Sequence, residues 1–145
     1  MSGVPGAESF EGFVAVATGV VEEEARRHAD DRWWILDPLL VVQRHDIEVL
    51  PLAEADPERT LRGADLEALR PALGARRVAA ALHVDLDVAG VPVPAVVVAV
   101  VGTLAHALLY ARVERTEFGT PRLGPWEPSD LIEGEVAAAL RRALN

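Results

Sequence analysis

The sequence predicts an α+β domain: a five-stranded antiparallel sheet flanked by helices, in the order α-β-β-α-β-β-β-α. Three observations carry this reading. Phe10, Phe13, Val14, Ala17, Val21 and Ala25 recur at three- and four-residue spacing, which lines one face of a helix. Residues 76–89 alternate, with Ala80, Leu82, Val84, Leu86 and Val88 on one side and Ala79, Ala81, His83, Asp85 and Asp87 on the other. Residues 93–101 are apolar on both sides, the pattern of a central strand covered on both faces.

The first helix is expected over 8–29, ending near Asp30–Asp31. Glu22 and Glu23 stand four residues before Arg26 and Arg27, so each can pair along its exposed side. Residues 33–44 read as strand, interrupted at Asp37–Pro38 and best formed from Leu39 to Arg44. His45–Asp46 turns the chain, and Ile47 to Leu52 returns with Pro51 marking an edge. A second helix is expected over 57–73, with Pro57 in its first turn and Gly74 as its stop. Ala89–Gly90 then joins the alternating strand to the valine-rich one, and Val101–Gly102–Thr103 joins that to a third strand, Leu104 to Arg115. Residues 117–128, dense in Gly and Pro, read as a loop held down by Leu123 and Trp126. Ser129 caps a last helix that runs to about Leu144. The domain reading is a flexible N-terminus at 1–7 and a single α+β domain at 8–145.

Composition excludes several chemistries. The 145 residues contain no Cys, so disulfides, thiolate metal sites and a cysteine nucleophile are absent. All 14 basic residues are Arg, which removes Schiff-base lysine chemistry and a lysine phosphate loop. With abundant Ala, Val, Gly and Pro, that choice points to a GC-rich genome. No Gly-x-Ser-x-Gly elbow is present, and no glycine-rich loop opens a helix, so neither a nucleophilic serine nor a nucleotide cofactor is expected. The net charge of -9 argues against nucleic acid and for a protein partner. Residues 1–7 lack a basic region and an apolar core, so no secretory signal is read there and the expected location is cytoplasmic. From Val88 to Ala111 no Asp, Glu or Arg occurs, a run long enough to cross a bilayer. Pro92, Pro94, the valine richness and Gly102–Thr103 favour two buried strands over a membrane helix.

The most chemical pattern is His83-Val84-Asp85-Leu86-Asp87, which sets an imidazole and two carboxylates on one side of a strand. His106 on a neighbouring strand could join them as a metal ligand, with Asp46 and Glu48 as further candidates. The plainer reading is a strand with one wet face, and a His106 bonded within the core. Trp33, Trp34 and Trp126 are candidate interface residues, set against ordinary core packing.

The element order resembles that of roadblock/longin-like domains across nearly the whole chain. The stretch Val-Glu-Arg-Thr-Glu-Phe-Gly-Thr-Pro-Arg-Leu-Gly-Pro-Trp-Glu (113–127) is similar to the sheet-closing segment of small α+β proteins from GC-rich bacteria. The resemblance implies a dimerising or scaffold role without catalysis. The expected function is therefore a non-catalytic interaction module, a homodimer or a subunit of a larger assembly. The alternatives are a metal-assisted hydrolase or small-molecule-binding enzyme using His83, Asp85 and Asp87, and an acidic neutraliser of a basic protein.

Overall fold

The computed structural model describes residues 4–5, 9–28, 39–51, 74–103, 105–115 and 121–128. They form an α+β fold of one helix on a curled antiparallel sheet. The elements are β1 (Val4–Pro5), α1 (Phe10–His28), β2 (Leu39–Gln43), β3 (Asp46–Pro51) and β4 (Arg77–Val88), then β5 (Val91–Val101), β6 (His106–Arg115), β7 (Pro121–Leu123) and β8 (Glu127–Pro128). The sheet runs β1-β3-β2-β4-β5-β6-β7, and β8 also pairs with β6.

Helix α1 forms where the apolar spacing places it. The Ser9 hydroxyl accepts the Gly12 amide at 3.0 Å, which caps the first turn. Phe13, Ala17, Val21 and Ala25 are buried against Leu39, Val41, Ala79, Ala81, Val96, Val98 and Val100. The alternate residues of β2, β4 and β5 therefore face the helix. Their small size at Ala79 and Ala81 lets the helix lie close to the sheet. The charge pairing differs from the four-residue expectation. Arg26 pairs with Glu23 at 3.1 Å and Arg27 with Glu24 at 3.2 Å, each three residues apart.

Alternation alone predicts a wet face for β4 on the side of Ala79 and Ala81; instead α1 covers the first half of that side. The opposite face, with Leu40, Val42, Val78, Ala80, Leu82, Ala95 and Val97, is closed to water as well. The central valine run is thus buried on both sides, as its composition requires. Two features depart from the expected architecture. The sheet is wider than five strands, because β1, β7 and β8 add short edge pieces. And among the described residues one helix packs on it, not helices on both faces; the helices expected at 57–73 and 129–144, and the strand start at 33–38, lie outside the described residues. Val4 and Pro5, within the segment expected to be flexible, pair with Ile47 and Asp46. Among the described residues no helix is long and apolar enough to cross a membrane.

The β4–β5 hairpin closes through Val88 opposite Val91, with Ala89 at φ 52° and Gly90 at φ 83°. Two central residues with positive φ define the turn whose twist matches a tight hairpin. In such a hairpin the pair next to the loop exchanges hydrogen bonds, and pairs alternate from there. Pro92 and Pro94, opposite Asp87 and Asp85, then occupy positions whose N–H would point away from β4, toward β6. Proline has no N–H to offer. The β5–β6 ladder accordingly stops at Ala95 opposite Arg112, and Val113 to Arg115 pair with β7 instead.

The edge pairing with β6 contains a bulge. Along β7, Leu123 faces Val113; along β8, Glu127 faces Tyr110. Four steps on one strand thus match three on the other, and Gly124 donates its N–H to the Arg112 carbonyl at 2.8 Å. Pro125 and Trp126 together stand opposite Ala111. Trp126 lies on the helix-covered face, where it packs on the core.

Candidate functional site

The register separates the sheet into two ends with different chemistry. At one end lies the β4–β5 hairpin. Among the described residues, β2 flanks β4 up to Ala81, and β6 flanks β5 down to Ala95. Beyond them, the pairs from Asp85↔Pro94 to Val88↔Val91 form a two-stranded arm with no described strand on either side. It extends roughly 10 Å past the described strands at strand rise. Asp85, Pro92 and Pro94 are exposed, and Val91 at the tip is 59% exposed.

His83 lies where this arm leaves the sheet. It follows Ala79 and Ala81 on the helix-covered face and is partly buried, with its Nε2 atom shielded from solvent. Burial pushes its pKa below 6.5, and the neighbouring Asp85 carboxylate pulls the other way. His83 and Asp85 do share a side of β4, as alternation requires. Asp87 is fixed only by its register opposite Pro92.

His106 does not join them. It pairs with Val101, which pairs with Val78, so it sits on the opposite face of the sheet. Val78 is five positions from His83, roughly 17 Å along the strand. Asp46 and Glu48 belong to β3, whose start is likewise at the far end. Among the described residues no three His, Asp or Glu side chains gather to hold a metal ion.

The far end gathers arginines. It collects the β2–β3 turn with Arg44 and His45, the start of β4 with Arg76 and Arg77, and the β5–β6 loop with Thr103, ahead of His106. Gln43, buried in β2, accepts a hydrogen bond from the Arg77 guanidinium at 3.0 Å. The Arg76 amide donates to the Gln43 carbonyl at 2.9 Å. Arg77 by its side chain and Arg76 by its backbone are therefore tied to the strand beside them. Phe10, Arg76, Arg77, Gly102, Thr103 and Ala105 surround an open depression of about 220 Å³. The one signal of it in the sequence is two adjacent arginines opening a strand in an acidic chain.

Comparison with family models, with curated proteins and with solved structures gives no match. The functional reading therefore rests on this chain's own geometry.

Of the aromatic candidates, Trp33 and Trp34 lie outside the described residues. Trp126 is partly buried, and its indole Nε1 donates to the Glu22 carboxylate at 2.8 Å. That bond clasps the β7–β8 edge to α1.

Proposed function

We propose that the chain is a non-catalytic interaction module that pairs with a second copy or joins a larger assembly through the β4–β5 arm. The single observation behind this reading is the exposure of Val91 at the tip of an arm that no described strand flanks. A two-stranded ribbon is marginal in water on its own. Covering its apolar positions with a partner removes that weakness and contributes hydrophobic association energy. Pro92 and Pro94 leave gaps in the outer edge of β5, which disfavours open-ended strand addition and leaves side-chain contact as the mode of pairing. The likeness to roadblock/longin-like domains, which rests on the element order read from the sequence, belongs to the same proposal.

Sedimentation equilibrium over a concentration series tests it. The wild-type chain is expected to self-associate, and Val91→Asp to weaken association by about tenfold or more, as expected when a contact residue is lost. Val49→Asp, at another exposed apolar position on β3, is the control and should leave association unchanged. A wild type that stays monomeric throughout overturns pairing between copies, and a Val91→Asp variant that associates as well as wild type overturns the role of the arm.

A further inference from the structure

We infer that the depression at the far end of the sheet, lined by Phe10, Arg76, Arg77, Gly102, Thr103 and Ala105, binds a small oxyanion, a phosphate or a carboxylate. The proposal is independent of the pairing arm, which lies at the other end of β4. Three features on these residues carry it.

The first is the sign of the charge that lines the recess. The chain carries -9, yet Arg76 and Arg77 both line this recess, with Arg44 and His45 on the adjoining β2–β3 turn. Among the described residues, the carboxylates at this end are Glu11, next to Phe10 in sequence, and Asp46 and Glu48 on β3; none of them lines the recess. A guanidinium offers planar N–H pairs that match the two oxygens of a carboxylate or phosphate.

The second is preorganisation. The Arg77 guanidinium is held by the Gln43 side chain at 3.0 Å, and the backbone that carries Arg76, though not its side chain, is held by the Gln43 carbonyl at 2.9 Å. The loop that presents Thr103 is closed by the Gly102 amide donating to the Ala105 carbonyl at 2.8 Å. Groups already held in place lose less entropy when a ligand arrives.

The third is shape. An added Cβ on Gly102 would come within 3.1 Å of the Phe10 ring, so glycine lets the loop sit directly against the aromatic wall. The recess of about 220 Å³ is several times the volume a water molecule occupies, about 30 Å³. Thr103 is exposed at its rim, and its hydroxyl can donate to an anion.

The test is an amide-resolved NMR titration of the whole chain with sodium phosphate and, separately, sodium acetate, each against sodium chloride at matched ionic strength. Saturable shifts confined to Arg76, Arg77, Gly102, Thr103 and Ala105 are expected with at least one of the two oxyanions, and the better probe names the ligand class. Arg76→Ala should weaken that binding about tenfold, the loss of one charge-assisted contact. Arg112→Ala, an exposed arginine on β6, should change nothing. Arg76→Lys keeps the charge but loses the planar fork, and should recover only part of the affinity. Shifts that match chloride, that fail to saturate, or that survive Arg76→Ala unchanged overturn the proposal.

Discussion

Trp126 and Glu22, 104 positions apart in sequence, are joined by a 2.8 Å hydrogen bond from the indole Nε1 to a carboxylate oxygen. The bond ties the last described edge of the sheet to α1. A bond to a charged acceptor on a half-open surface is worth about 1 kcal/mol net. Glu22→Ala should therefore lower stability by about 1 kcal/mol. Trp126→Ala should lower it by about 2–3 kcal/mol, because packing against the core is lost too. A double-mutant cycle by urea denaturation should return a coupling near 1 kcal/mol, that is, about the value of the bond itself. Additive losses would show that the bond contributes nothing.

The bulge takes up one residue without moving the indole. Deleting Pro125 would restore one-to-one pairing with Trp126 directly opposite Ala111, which pairs with Val96 on the helix-covered face. The deletion variant should keep the Trp126–Glu22 coupling, so that adding Glu22→Ala costs about as much as in wild type. If adding Glu22→Ala costs nothing in the deletion variant, β8 pairs with β6 in another register.

Ala89 adopts φ 52° in the β4–β5 turn. A Cβ in the left-handed region is unfavourable by about 1–2 kcal/mol, and Asn or Gly tolerates that region better. Ala89→Asn should raise the urea midpoint, with a gain of about 0.5–1 kcal/mol. A variant less stable than wild type would mean the turn has a different geometry in solution.

His83 makes the fold sensitive to mild acid. Its pKa is lowered in the folded chain, first by burial, against a smaller opposing pull from Asp85. The unfolded chain then binds the proton more readily than the folded one. The stabilisation from a neutral His83 is fully present above pH 6.5 and is lost as pH falls below 6.5 toward the lowered folded value. Thermal melts at about pH 8 and about pH 5.5 should show a drop in Tm for wild type and a smaller drop for His83→Gln. Equal drops would assign the acid sensitivity to other groups.

Much of the fold is readable in the residues. The apolar spacing from Phe10 to Ala25 locates α1 and the side it buries. The alternation of 76–89, followed by a stretch apolar on both sides, locates β4 and β5 and the doubly covered centre. The edges are hidden for a physical reason. β1, β7 and β8 are two or three residues long and contain Pro5, Pro121 and Pro128, so they show no alternation to detect. Their pairing depends on β3 and β6 standing next to them, which is long-range information. The row His83, Asp85, Asp87 is visible as a pattern, but its surroundings are not. Alternation says which residues share a side; it does not say that α1 covers that side at Ala79 and Ala81 and leaves Asp85 exposed. Likewise, His106 looks close to His83 in sequence because both belong to one meander. Only the register shows them on opposite faces and at opposite ends.

Whether two copies meet through the β4–β5 arm can be read from a distance between them. With no native cysteine, a single Asp85→Cys substitution carries one spin label on the arm of each chain and leaves Val91 in place. Pulsed dipolar spectroscopy on the singly labelled protein then reports only distances between copies. Pairing through the arm should give a defined intermolecular distance that disappears on dilution with excess unlabelled chain. A featureless background decay, in a sample that light scattering shows to be associated, would contradict it.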